Sequence, residues 1–126
     1  MQEQEPGKTY NTAVEATLEV MGGKWKPVIL FHLTVGKKRN GELLSLMPVI
    51  TQKVLTQQLR ELEEEGVIMR ISYNQVPPKV EYELTEYGMS LKEILHLMCR
   101  WGETHITRVY GNQARVLAAP PQTGEA

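Results

Sequence analysis

From Asn11 to Met21 the apolar residues Val14, Leu18 and Met21 recur at helical spacing, and Gly22-Gly23 closes the segment. The next stretch, "KWKPVILFHLTVG", places Pro27 where a first helical turn tolerates it, and its apolar run Val28–Leu33 suits a buried helix ending near Gly36. Its β-branched residues leave a buried strand as the competing reading. After the basic turn "KKRNG", Asn40 can cap a short helix through Met47, with Leu43, Leu44 and Met47 facing inward. Pro48 stops it. A further helix opens three residues on, with Thr51 as N-cap and Ile50 and Leu55 at the spacing of a hydrophobic staple. Leu55, Leu59 and Leu62 give its inward stripe, and Gly66 is the expected C′ residue.

Beyond Gly66 the period changes from helix to strand. "VIMRISY" puts Val67, Met69, Ile71 and Tyr73 on one side, and "KVEYELT" does the same for Val80, Tyr82 and Leu84. "NQVPPK" joins them as a loop stiffened by two prolines. A last helix is expected from Thr85 to about Tyr110, with a second staple from Leu84 to Met89. Its apolar residues, among them Ile94, Leu97, Met98, Trp101, Ile106 and Val109, cover more than one stripe. A helix with two apolar faces calls for two partners, of which a second copy of the chain is the simplest. Residues 1–9 and 111–126 lack periodic apolar positions and are expected to be flexible, leaving one domain over 10–110.

Composition narrows the classes. Length of 126 residues, 41% hydrophobic and 23% charged residues are those of one globular domain. Net charge is −1, yet Val20–Gly41 holds Lys24, Lys26, Lys37, Lys38 and Arg39 and no acid. Such segregation can give a neutral protein a positive face, although a solvated lysine-rich surface has the same composition. The single cysteine, Cys99, excludes an intrachain disulfide. With neither a signal segment nor a long apolar run in the sequence, a soluble, cytoplasmic protein without membrane association is expected. There is no aspartate, nucleophile elbow, phosphate loop or HExxH, so an enzyme is not expected. Cys99 reads as an inert buried thiol. His96 and Cys99 share a helical face but His105 does not, so neither metal nor other cofactor is expected.

The order helix, helix, short helix, tight turn, helix, two strands, helix is that of a winged helix-turn-helix. Its second helix should lie in the DNA major groove with its first turns on base edges. The polar sequence of the segment from Thr51 fits this. Thr51, Gln52, Lys53, Thr56, Gln57 and Gln58 fill its early turns, whereas Glu61, Glu63, Glu64 and Glu65 fill its far end. Glutamine can pair with an adenine edge, lysine suits guanine acceptors, and carboxylates repel phosphate. A solvent-facing helix would use the same residue types, so spacing alone does not separate the two readings.

The combination of "VEATLEVMGGKWKPVILFHL", "ITQKVLTQQLRELEEEGVI", "YNQVPPKVEYELTEYGMSL" and "CRW" resembles the HxlR family of bacterial transcriptional regulators, also described as MarR-like, over about Thr12 to Gly102. The resemblance implies an α+β, mainly α fold: a winged helix-turn-helix with a two-stranded wing and extra N- and C-terminal dimerisation helices. It implies a homodimer on double-stranded operator DNA. Carried over by position, Thr51, Gln52, Lys53, Thr56 and Gln57 would read the major groove. Arg60 would contact phosphate or pair with Glu64, Lys79 would be the wing contact, and Arg39 and Lys26 would reach the backbone. Trp25, Tyr73 and Tyr82 would be packing residues. Many relatives carry a redox cysteine in a "CPVE" setting, where this chain has Thr12-Ala13-Val14-Glu15. The family's aromatic after the basic turn is also missing from Arg39-Asn40-Gly41-Glu42-Leu43. A small-molecule effector of unknown chemistry could sit between the DNA-binding and dimer-forming parts, although no polar cluster names it. A winged helix used for protein interaction without DNA is the rival from another class.

Overall fold

The structure is a computed structural model that describes residues 7–118. Helix α1 (Ala13–Met21) leads to α2 (Lys26–Val35), strand β1 (Lys38–Arg39), α3 (Asn40–Leu46) and α4 (Gln52–Glu64). Strands β2 (Ile68–Tyr73) and β3 (Lys79–Leu84) follow, then α5 (Glu86–Met89) and α6 (Lys92–Tyr110). The run Val28–Leu33 is helical, so the strand alternative is excluded. The core gathers Ile29, Leu30 and Leu33 of α2, Leu43 of α3, the α4 leucines, Val67, Ile68 and Leu95.

The sheet has three antiparallel strands in the order β1-β3-β2, where two were expected. The basic turn supplies the third: Lys38 pairs with Tyr82 and Arg39 with Glu81. This also moves the cap of α3. Arg39, already extended as a strand residue, takes the N-cap position in place of Asn40, and the Glu42 carboxylate accepts its backbone N–H at 2.7 Å. In β2 one expected inward residue turns outward: Val67, whose N–H bonds the Leu62 carbonyl in the turn, and Ile68 are buried in succession and Met69 is left 41% exposed, while Ile71 and Tyr73 are half-buried.

The expected helix from Thr85 to Tyr110 is two helices. Thr85 caps α5, accepting the Gly88 N–H at 2.9 Å while donating to the Gly66 carbonyl at 2.6 Å. Gly88 is buried so closely that a Cβ would sit 1.9 Å from the Val67 carbonyl oxygen. Pressed against that backbone, the chain tightens: Ser90 N–H bonds Tyr87 O and Leu91 N–H bonds Gly88 O. The helix then restarts at Lys92, and Met89 is exposed rather than stapled to Leu84. Helix α6 packs on α2, with His96 Nε2 3.4 Å from Thr34 Oγ1 and its ring edge-on to Phe31.

Of the segments expected to be flexible, residues 1–6 and 119–126 lie outside the described residues. Within the rest, Lys8 and Tyr10 both reach the Glu19 carboxylate. A 3-10 turn, Gln113–Arg115, folds back on α6 through Gln113 Nε2, which donates to the Glu103 carbonyl and to Thr107 Oγ1. Gly88→Ala is expected to cost about 3 kcal/mol, because the added methyl must displace backbone. Urea unfolding measures this; an unchanged midpoint would refute the close contact.

Candidate nucleic-acid interface

Helix α4 is built to present one face. Leu55, Leu59 and Leu62 are wholly buried, which directs the opposite side outward. Gln52, Lys53, Thr56, Gln57 and Arg60 are all exposed and share that side by helical spacing. The start of the helix is fixed as expected: Ile50 and Leu55 are both buried, and Thr51 Oγ1 accepts the Val54 N–H at 3.1 Å. The Thr51 oxygen is therefore engaged in capping, and its hydroxyl proton is what it can offer a ligand. No acid lies in the first turn of α4, so the positive end of the helix dipole is unopposed there. Gly66 at φ +78° ends the segment beyond the exposed Glu63, Glu64 and Glu65.

The polar stripe is organised internally. Gln52 Nε2 lies 2.9 Å from Thr56 Oγ1. Gln57 Nε2 donates to Glu61 Oε2 at 3.1 Å, and the other oxygen of that carboxylate meets Lys26 Nζ at 2.7 Å. The Lys26 ammonium, followed by the Gln57 amide, holds the Glu61 carboxyl below its ordinary range. Lys26, expected to reach the backbone, has a side chain only 14% exposed and is paired with Glu61, tying α2 to α4.

A second polar group forms on the sheet. Tyr73 donates to Glu81 at 2.7 Å and accepts from Lys37 Nζ at 3.2 Å. Lys37 and Lys79 approach the same carboxylate at 3.7 and 3.9 Å, and Lys79 stands 4.7 Å over the Tyr73 ring. Arg39, exposed, is Glu81's partner in the β1–β3 register. Lys79 pairs with Tyr73 across the strands, closing the loop at the outer end of the wing. Lys37 was missed from sequence, since only strand pairing brings "KKR" beside Glu81. Tyr73 does more than pack, because its hydroxyl links Lys37 to Glu81. Trp25 packs on the core, as expected, under the Lys24 ammonium.

Cys99 is half-buried beside Pro27, Val28 and Phe31. Burial and then the Glu103 carboxylate push its thiol up, away from the thiolate that redox chemistry needs.

The model of the HxlR-like helix-turn-helix family matches residues 20–110. This chain belongs to that family. The HTH-type transcriptional regulator YtcD of Bacillus subtilis (strain 168) is 71% identical over 110 residues, covering 87% of each chain. The regulatory protein MalR of Fusobacterium mortiferum is 56% identical over 95 residues, 75% of this chain and 90% of its own. Among solved structures, that of YtcD superposes with a TM-score of 0.72 at 71% identity, over 76% of this chain and 98% of that one. The redox regulator HypR in its reduced form gives 0.75 at 48% identity, over 80% and 100%. As an HxlR-like protein the chain is a DNA-binding transcriptional regulator of the helix-turn-helix type.

The Glu81 cluster has a signature in pH. The Tyr73 hydrogen bond, ahead of the Lys79 and Lys37 charges, lowers its pKa from the ordinary 4.5. A depressed carboxyl contributes stability above its unfolded pKa and loses it as pH falls through the folded one. Glu81→Gln lacks this titration. Its melting temperature is expected to fall less than the parent's between about pH 5 and pH 3; equal falls would contradict the cluster.

Proposed function

We propose that this regulator works in the cytoplasm as a homodimer on an inverted-repeat operator, each α4 entering one of two successive major grooves. The observation that carries this reading is the outward stripe of α4, neutral or basic through Arg60 and acidic only beyond it. Gln52, Lys53, Thr56 and Gln57 would meet base edges, with the Thr51 hydroxyl donating beside them. Arg60 would meet phosphate on the same face. Arg39 and Lys79, joined by Lys37, would meet the sugar-phosphate backbone or the minor groove from the wing.

Dimerisation is supported by a continuous apolar surface on α1 and α6. Val14 and Leu18 are 64% and 57% exposed, and Trp101 is 70% exposed. Val14, Leu18, Pro27, Ile94 and Met98 line one shallow groove, so the two helices present a joint face. An apolar area of this kind on a small chain marks an interface. Its self-pairing would set the two α4 helices about 10 bp apart on one side of the duplex.

Selection of bound duplexes from a random pool tests the proposal. An inverted repeat with half-sites about 10 bp apart is expected. Affinity should fall with salt at a log–log slope of about −0.9 per phosphate contact. No enrichment above background would favour a protein-interaction role instead. Gln52→Ala should lose about 1–3 kcal/mol of discrimination at one position in each half-site; an unaltered preference would remove Gln52 from the readers. Trp101→Glu, on the outer face of α6, should sediment as a monomer at concentrations where the parent is a dimer. A dimeric variant would place the interface elsewhere.

A further inference from the structure

We infer that the Lys26–Glu61 pair between α2 and α4 is a specificity device: it fixes the orientation of the Gln57 amide, so that this residue accepts a hydrogen bond from an exocyclic amino group on the DNA. The inference rests on the proposal that Gln57 reads bases.

The geometry is a relay of three side chains. Lys26 Nζ holds Glu61 Oε1 at 2.7 Å, and Glu61 Oε2 receives Gln57 Nε2 at 3.1 Å. A carboxylate only accepts, so the amide nitrogen must be the Gln57 atom turned toward Glu61. The carbonyl oxygen is then turned away from Glu61, on an exposed side chain of the reading face. Gln52 is different. Its partner is the Thr56 hydroxyl, which can donate or accept, so that contact leaves the amide free to reverse.

The consequence lies in the donor and acceptor pattern of the major groove. Adenine and cytosine present amino donors there, whereas guanine and thymine present only acceptors and, for thymine, a methyl group. A glutamine free to reverse can satisfy either class. Gln57 keeps its carbonyl oxygen and one N–H for the duplex, which matches adenine N6 and N7 or cytosine N4 and leaves guanine's paired acceptors poorly served. Glu61 and Lys26 are thus positioning residues, acting on specificity through Gln57 without touching DNA.

The test uses the full-length protein and the duplex selected from the random pool, with every single base-pair change in one half-site. Equilibrium affinities are compared for the parent, Gln57→Ala, Glu61→Ala and the double variant. The parent should prefer one base pair, in one orientation, at the one position whose preference Gln57→Ala flattens. Glu61→Ala should reduce that same preference by about fivefold or more while leaving other positions unchanged. In the Gln57→Ala background it should have no further effect on preference. Melting temperatures establish folding. Where Glu61→Ala does not fold, Lys26→Met combined with Glu61→Ala removes both charges together and carries the same expectations. If Glu61→Ala keeps the parent's preference where Gln57→Ala loses it, the relay is overturned while Gln57 remains a reader. If Gln57→Ala changes no preference, the assignment of Gln57 as a reader fails and the relay with it.

Discussion

Burial of Leu55, Leu59 and Leu62 is the constraint from which the rest of this molecule follows. A leucine removed from such a core costs about 2–5 kcal/mol, so the stripe sets the rotation of α4 about its axis firmly. Once that rotation is set, helical spacing alone carries Gln52, Lys53, Thr56, Gln57 and Arg60 to the opposite side. The staple between Ile50 and Leu55, the Thr51 cap and Gly66 fix where the helix starts and stops. The outward polar face is therefore a by-product of core packing, and its residues are free to vary without disturbing the core.

The charges on α4 divide by position. Glu61 lies at the boundary between the reading stripe and the acidic end, and Lys26 neutralises it from α2. On the sheet Glu81 does the reverse, drawing Lys37 and Lys79 together around Tyr73. In both places one carboxylate organises basic or amide groups that would otherwise sample many rotamers. The cost of ordering those side chains is met within the folded protein rather than on meeting a ligand.

Helix α4 was legible from the sequence because its signals are local: a cap, a staple, a leucine period and a terminal glycine lie within a few residues of one another. What escaped was set by contacts distant along the chain. Strand β1 exists because Tyr82 and Glu81 pair with Lys38 and Arg39. The break between α5 and α6 exists because Gly88 meets the Val67 carbonyl. Nothing local reveals that Glu61 lies across from Lys26. Met69 looked inward because alternation was assumed throughout, whereas Val67 and Ile68 are buried in succession where the turn enters the strand. The candidate site was legible as a list on α4, and much less so at the wing, where Lys79 took its partners from the sheet.

The central claim is that the outward face of α4 enters a major groove. Nuclear Overhauser contacts within the complex of the isotopically labelled protein and its selected duplex test it most directly. The account requires contacts from the side-chain amides of Gln52 and Gln57 and the Thr56 methyl to cytosine H5 or thymine methyl protons, which line the major groove. Contacts to DNA arising only from other surfaces, with these side chains unperturbed on binding, would contradict it.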